Sequence, residues 1–396
     1  MKKDLNKVVE KIKIDEEKIE LGKIYEEIIE NFNYYCDLPE NLLKLLAIWV
    51  IGAVHINSFN TFPYLFINAM KGSGKTRLLK LLMKMTGGDV LNSPTEAVLF
   101  RTSNPLGIDE FEGVGRKGNE SIRELLNSAY KKGIMVKRMK KKRTPEGEEQ
   151  VVEEFSVYRA MAIANIWGME EVLGDRCIKV VLDKSNNPII TKKIEKFDHL
   201  KEIQCRLCRV VTVFKLYNDI EDAWNSYITD KHTPLTTLTT HTPLTTLTTS
   251  LKGIINENLS FFNKIDDSGL EGRILELSFP LLYIASILSE ETFDSLLVVL
   301  KNLSKERNEE DVIENYDVSL IDFVSQEVED GKFVRIKELV KNFKEYLQSD
   351  DEWINERWLG RGLKRLNLIK QKRRKSRGRE VILDIAKAQK KIRMFR

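Results

Sequence analysis

Residues 64–86 read YLFINAMKGSGKTRLLKLLMKMT, and this stretch decides the fold. A β-rich apolar run, Tyr64 to Ala69, enters a glycine-containing turn and then a segment patterned as a helix. Ala69 to Thr76 fits the phosphate-binding loop G-x-x-x-x-G-K-[ST], with Ala69 in place of the first glycine. Gly72 and Gly74, on either side of Ser73, permit the tight backbone that turns N–H groups toward a phosphate, and the following helix adds its positive end. On this reading Ala69, Gly72, Ser73, Gly74, Lys75 and Thr76 cradle a nucleotide. Lys75 reaches the β- and γ-phosphates of ATP, and Thr76 ligates Mg²⁺. The alternative is a chance glycine turn, against which the strand–loop–helix context argues.

Working downstream, Asp109 stands 34 residues after Lys75 in the acid-terminated run Leu106-Gly-Ile-Asp109-Glu110. Asp109 is placed to hold the metal through water and Glu110 to polarise the attacking water. Short β runs are expected at Leu106 to Ile108, Ile134 to Met139, Val151 to Tyr158, Ala160 to Ile166 and Ile178 to Leu182, with a helix over Ser121 to Lys131. That alternation predicts an α/β core with a largely parallel sheet. YRAMAIANI ends in Asn165, either a polar sensor of the γ-phosphate or a strand end that simply favours Asn. Arg176, just before CIKVVL, suits a finger inserted into a neighbouring subunit's site. Its alternative is a surface ion pair with Asp175.

Around this core, residues 37–200, the chain divides by pattern. Residues 1–36 form a helical lead-in with Ile and Val at 3–4 spacing, and 201–230 are helical. HTPLTTLTT at 232–240 is repeated identically at 241–249, so 231–250 reads as a Thr/Pro linker. A helical lid is expected over 251–310. Residues 316–396 read as helix, helix, helix, strand, wing and strand, the order of a winged-helix domain, with the third helix over Asp351 to Leu366. Cys205 and Cys208 share a helix face at i, i+3, which predicts that both pack inward; a zinc site needs two further ligands at a recognisable spacing.

Composition supports an ordinary folded chain. The 396 residues are 42% hydrophobic and 31% charged, which excludes disordered, collagenous and membrane-embedded classes. The net charge of +4 conceals an asymmetry: residues 361–396 carry 15 Lys/Arg and 2 Asp/Glu, or +13, leaving −9 for all that precedes. Four cysteines and a charged N-terminus imply a reducing, cytoplasmic location. The longest apolar run, Leu45 to Val54, is half of what a spanning helix of ~20 residues requires.

Two basic concentrations point to DNA. KKGIMVKRMKKKR, residues 131–143, precedes TPEGEE and a returning strand, a hairpin layout in which Lys137, Arg138, Lys140, Lys141, Lys142 and Arg143 face phosphates. Alternatively these cations pair across the strands with Glu148, Glu149, Glu153 and Glu154. In the last domain Arg361, Lys364 and Arg365 lie on the third helix, and Arg373, Arg374, Lys375 and Arg377 on the wing. Helix in the major groove and wing beside it is the docking this suggests, a solubilising surface being the alternative.

The order YYCDLPENLLKLLAIWVIGAVHI, the phosphate loop with RLLKLL, AVLFRTSNPLGIDEFE, ELLNSAYKKG, EFSVYRAMAIANI and GDRCIKVVL resembles a group of P-loop ATPases from phage, plasmid and archaeal mobile-element replication proteins. The likeness covers residues 34–182, with GRILELSFPLLYIAS as a later block; Ala69, Gly107 and the repeat linker depart from it. It implies an AAA+-like core, work in DNA replication near a primase, and a ring homo-oligomer such as a hexamer. It also implies that Arg273 is the lid-borne arginine that reads the γ-phosphate, and that the basic hairpin corresponds to the DNA-gripping hairpin of superfamily 3 helicases.

These readings converge on an ATP- and Mg²⁺-dependent DNA helicase or translocase. An ATP-switched origin-binding initiator or helicase loader is the second reading, and a small-molecule kinase with a basic tail the third.

Overall fold

Runs that are apolar at nearly every position, such as Tyr64–Ala69 and Met161–Asn165, are suited to strands covered on both faces. The computed structural model describes residues 2–92, 94–109, 120–144, 147–165, 171–232, 249–314, 316–326, 331–349, 351–375 and 378–393. Most of the repeat linker, residues 233–248, and the proposed base Glu110 lie outside them. Two compact units divide the chain, Met1–Lys301 and Asn302–Arg396.

The first unit opens with α1 (Lys2–Tyr35), α2 (Glu40–Val54), β1 (Tyr64–Ala69), α3 (Lys75–Thr86), β2 (Asp89–Asn92), α4 (Glu96–Arg101), β3 (Leu106–Asp109) and α5 (Glu120–Ser128). The hairpin β4 (Met135–Thr144) and β5 (Gly147–Ser156) precedes β6 (Met161–Asn165), α6 (Glu171–Gly174) and β7 (Cys177–Leu182). Helices α7 (Pro188–Thr191), α8 (Lys201–Leu207), α9 (Thr212–Lys215), α10 (Tyr217–His232), α11 (Thr249–Glu257), α12 (Leu259–Asp266), α13 (Gly272–Leu288) and α14 (Glu290–Glu314) follow. The fold is mixed α/β, with a parallel five-stranded sheet in the order β2-β3-β6-β1-β7.

Register fixes what shares an edge. Tyr64 pairs with Cys177 where β1 and β7 begin, and Ala69 with Leu182 where they end; Asn68 pairs with Asn165 and Asn92 with Asp109. One core holds Tyr64, Phe66, Leu106, Ile108 and Ile163 with Ile122, Leu125 and Leu126 of α5. Successive strand residues face opposite ways, so Leu65 and Ile67 turn to the other side, where α3 packs on β2, β3 and β6. Gly107 explains itself here: a Cβ would stand 3.0 Å from Met83 and 3.5 Å from Leu79, so glycine lets α3 lie close on β3.

The lead-in helix packs by its second half. Leu21, Ile24, Ile28 and Phe32 of α1 are fully buried, while Val9, Ile12 and Ile19 are exposed. Glu17 is buried and accepts from Thr212 N (2.6 Å), Thr212 Oγ1 (2.8 Å) and Val213 N (3.1 Å), satisfying the first donors of α9. Burial pulls its carboxyl up, but these hydrogen bonds outweigh burial and hold it below the usual range. Nearby, His55 stacks on Phe214 with ring centroids 3.9 Å apart and a buried Nε2 without a partner.

Burial pushes His55 down to about 4. Its unfolded form takes up a proton near pH 6.5 and its folded form does not, so the fold loses stability as pH falls from there toward 4. The expected loss is ~2–3 kcal/mol by pH 4.5. Thermal melts from pH 7 to 4.5 should show it, and His55→Phe should flatten the decline; a slope unchanged in that variant would assign the loss elsewhere.

The second unit holds α15 (Tyr316–Gln326), β8 (Val334–Arg335), α16 (Ile336–Leu347), α17 (Glu356–Arg365), β9 (Ile369–Lys375), β10 (Gly378–Leu383) and α18 (Ile385–Ile392). Its antiparallel sheet runs β8-β10-β9, over a core that includes Leu320, Phe323, Leu339, Phe343, Leu359, Leu363 and Val381. The helix expected from Asp351 starts at Glu356 because Asn355 caps it, its side chain accepting from Arg357 N (3.1 Å) and Trp358 N (3.0 Å). Among the described residues, no helix is long and apolar enough to cross a membrane.

Candidate functional site

The carboxyl ends of β1, β3 and β6 form one crest of the parallel sheet, the edge at which open α/β sheets bind ligands. Between Ala69 and Lys75 the chain turns through Gly72 (φ 83°) and Gly74 (φ 94°), left-handed positions at which a side chain is strained. Ser73 Oγ closes the turn by donating to Met70 O at 2.8 Å, and Leu78 N donates to Gly74 O at 3.0 Å to start α3. Lys75 is 9% exposed at the first position of that helix. A cation beside a positive helix end is unfavourable by itself, and an anion there relieves it.

Thr76 Oγ1 donates to Asp109 Oδ2 at 2.6 Å. A hydroxyl and a carboxylate so paired supply hard oxygen donors, the set that suits Mg²⁺. Asn165 is buried at the end of β6, in register with Asn68 beside the loop. Thus Ala69, Gly72, Ser73, Gly74, Lys75, Thr76, Asp109 and Asn165 all lie on one edge.

The far wall was not legible in the pattern. A cavity of about 390 Å³ joins Gly72–Thr76 to Tyr35, Cys36 and Asp37 after α1 and to Leu182, Ser185 and Ile190 after β7. Arg77 ties these segments together by donating to Tyr35 O (3.3 Å), Ile190 O (3.0 Å) and Lys193 O (3.0 Å). Ser185 Oγ donates to Asp37 Oδ2 at 2.6 Å across the same opening. Burial pushes the Cys36 thiol up to about 12, against the pull of Arg77, so it is a neutral lining group.

Arg176 and Arg273 stand at the opposite edge. Tyr64 N, at the start of β1, donates to Arg176 O (3.0 Å), and both guanidiniums lie over the Tyr130 ring, 5.2 and 5.0 Å from its centroid. The six residues of β1 span ~20 Å, more than an arginine side chain reaches. Arg273, which the resemblance makes the reader of the γ-phosphate, therefore lies out of reach of the loop of its own chain. Nor does Arg176 form the ion pair with Asp175 that was the alternative for it: its Nε donates to Asn127 O (2.8 Å) and another of its nitrogens to Val172 O, whereas Asp175 lies 3.8 Å from Arg273.

The basic hairpin is charge-compensated where its side chains are described. Lys137 pairs with Glu154 (2.7 Å), and Arg138 Nε donates to Glu96 of α4 (2.8 Å). Register sets Lys142 opposite Glu149 and Arg143 opposite Glu148; the side chains of Lys140, Lys141, Lys142 and Arg143 lie outside the described ones. In the second unit Arg365 binds Asp317 (2.6 Å), while Arg373 binds Glu380 (2.7 Å) and covers the Phe333 ring. Arg361, Lys364 and Arg374 are exposed; Arg377 and the Lys375 side chain lie outside the described set. Cys205 and Cys208 are both exposed, against the expectation that they pack inward, because the buried face of α8 is the one that carries Ile203 and Leu207. No cluster of three potential metal-binding His, Cys, Asp or Glu occurs among the described residues.

No family model and no curated protein matches the chain. Among solved structures, the apo A form of the NrS-1 C-terminal region is similar at a TM-score of 0.35 and 11% identity, covering 91% of this chain and 75% of that one; so loose a likeness assigns neither activity nor partner.

Proposed function

We propose that the first unit is a P-loop ATPase core of AAA+-like build that drives a DNA helicase or translocase in the replication of a mobile element or virus. The observation that carries this reading is the Thr76–Asp109 pair at 2.6 Å next to a left-handed glycine loop, with the mostly buried Lys75 joining Gly74 of that loop to Thr76. Loop N–H groups and Lys75 hold the triphosphate; Thr76 and Asp109 hold Mg²⁺. When bound, that ion neutralises phosphate charge. Glu110 takes the proton of the attacking water, and Asn165 orients that water at the γ-phosphate. Arg176 comes from the neighbouring copy of a ring. Nucleotide binding and DNA-stimulated hydrolysis by the full chain test the ATPase, and separation of a forked duplex tests the motor.

The second reading makes the ATPase a switch, an origin-binding initiator or helicase loader. The hairpin favours it, since Lys137 and Arg138 are matched by glutamates and hold less charge in reserve for a moving strand. Slow hydrolysis with tight binding of defined duplex, and no unwinding, is what a switch gives.

In either case the second unit is proposed as a winged helix that docks duplex DNA through Arg361 and Lys364 of α17 and Arg374 of β9. Replacing these three by Ala should weaken duplex binding at every sequence and reduce the slope of log affinity against log salt by ~2–3, at ~0.9 per lost phosphate contact. The same change at Arg365 and Arg373 should act first on stability, through Asp317 and Glu380. A salt slope unmoved by the triple variant would remove this surface from DNA binding.

A further inference from the structure

We infer that Cys205 and Cys208 form a reversible dithiol–disulfide site, open to exchange with small anionic disulfides such as glutathione disulfide. Of the four cysteines, Cys36 and Cys177 are buried and these two are exposed. The inference stands apart from the nucleotide site. Helix α8 packs on α3, and its Gln204 lies against Gly87, at the end of α3 away from Lys75.

Three residues apart on one helical turn, the two Cα atoms are ~5 Å from each other, within the ~4.4–6.8 Å that a disulfide spans. Their Cβ atoms stand ~5–6 Å apart and must come to ~4 Å, so the turn has to tighten by about 1–2 Å. It is free to do so because α8 ends there. Cys208 is the C-cap and its N–H donates to Gln204 O (3.0 Å). The next two N–H groups, of Arg209 and Val210, already turn to Arg206 O and Leu207 O, three residues back (3.1 and 3.0 Å). The rest of the helix stays anchored by its other face, where Ile203 and Leu207 are buried and Arg206 binds Glu20 and Glu27 of α1. A ring closed against this small distortion is readily reduced again, as transient intracellular disulfides are.

Lys201 and Arg209, exposed four residues before and after Cys205, attract an anionic disulfide to it. Burial first, and then the neighbouring Cys205, push the Cys208 thiol above its usual range, so the opening attack falls to Cys205. Its thiolate attacks one sulfur of glutathione disulfide, forming a mixed disulfide and releasing one glutathione thiolate. Cys208 gives its proton to water and attacks the Cys205 sulfur, and the second glutathione leaves. Two electrons pass from the cysteines to the glutathione disulfide, which ends as two thiols once each released thiolate takes up a proton.

Exposure of the native full chain to glutathione disulfide, followed by intact mass and tryptic mapping, tests this. The wild type should lose two hydrogens and two of its four reactive thiols, and dithiothreitol should restore both. Trypsin cuts after Arg206, so the disulfide should join peptides 202–206 and 207–209. Cys205→Ser and Cys208→Ser should each stop at a single glutathione adduct, Cys205→Ser the more slowly. Lys75→Ala should oxidise like the wild type, whatever becomes of the nucleotide reading. Two adducts on the wild type without a ring, no reaction at either thiol, or a disulfide to Cys36, to Cys177 or to a second copy would each overturn the inference.

Discussion

Lys75→Ala is expected to abolish ATP turnover, by roughly 10³-fold or more, while leaving the protein as stable as the wild type or slightly more so. The sign of the stability change distinguishes function from structure. Lys75 is a residue nine-tenths buried at the first position of α3, where the helix end is itself positive. Removing it ends an unfavourable charge–dipole contact, and alanine is the best helix former. A structural lysine would behave oppositely, since its loss would leave a partner unpaired. Melting with and without ATP and Mg²⁺ provides the second measurement: ligand should raise the wild-type midpoint and leave that of the variant in place. Wild-type turnover in the variant, or a large drop in its midpoint, would contradict the assignment of the loop.

How far the sequence carried this site depends on the kind of pattern each part left. The loop and the Asp109 crest were legible because apolar strands bounded by Gly or acid have a local signature, and a parallel sheet then brings strand ends together whatever their separation in the chain. Short edge elements left no such signature: β2 is four half-exposed residues, and β8 is two. The cavity wall was hidden for a different reason. Tyr35 and Ile190 are brought to the loop by main-chain carbonyls that Arg77 bonds, and a carbonyl is present at every residue. The position of Arg273 beside Tyr130 was not legible, because a Gly-Arg pair at a helix start says nothing about which end of the sheet that helix approaches. Charge density at 131–143 was plain in composition, as was pairing across the strands, which Lys137 makes with Glu154; the partner of Arg138, Glu96, comes from α4 and left no signal in the hairpin's own sequence.

Asp109→Asn tests the metal half of the site and gives the second large effect. The variant keeps an oxygen for the Thr76 hydroxyl and nearly the same volume, so the fold should persist, and a buried charge is gone. What it loses is the negative charge that a hard cation requires of this position. The Mg²⁺ concentration for half-maximal hydrolysis should rise ~10–100-fold, and turnover at low Mg²⁺ should fall by about 10². Raising Mg²⁺ should then restore part of the activity of Asp109→Asn and none of that of Lys75→Ala, because the first change weakens metal binding and the second removes a cation that no added ion replaces at the γ-phosphate. A loss of activity at Asp109→Asn with an unmoved Mg²⁺ dependence would make Asp109 a support for Thr76 and the loop, and the metal would have to be held elsewhere.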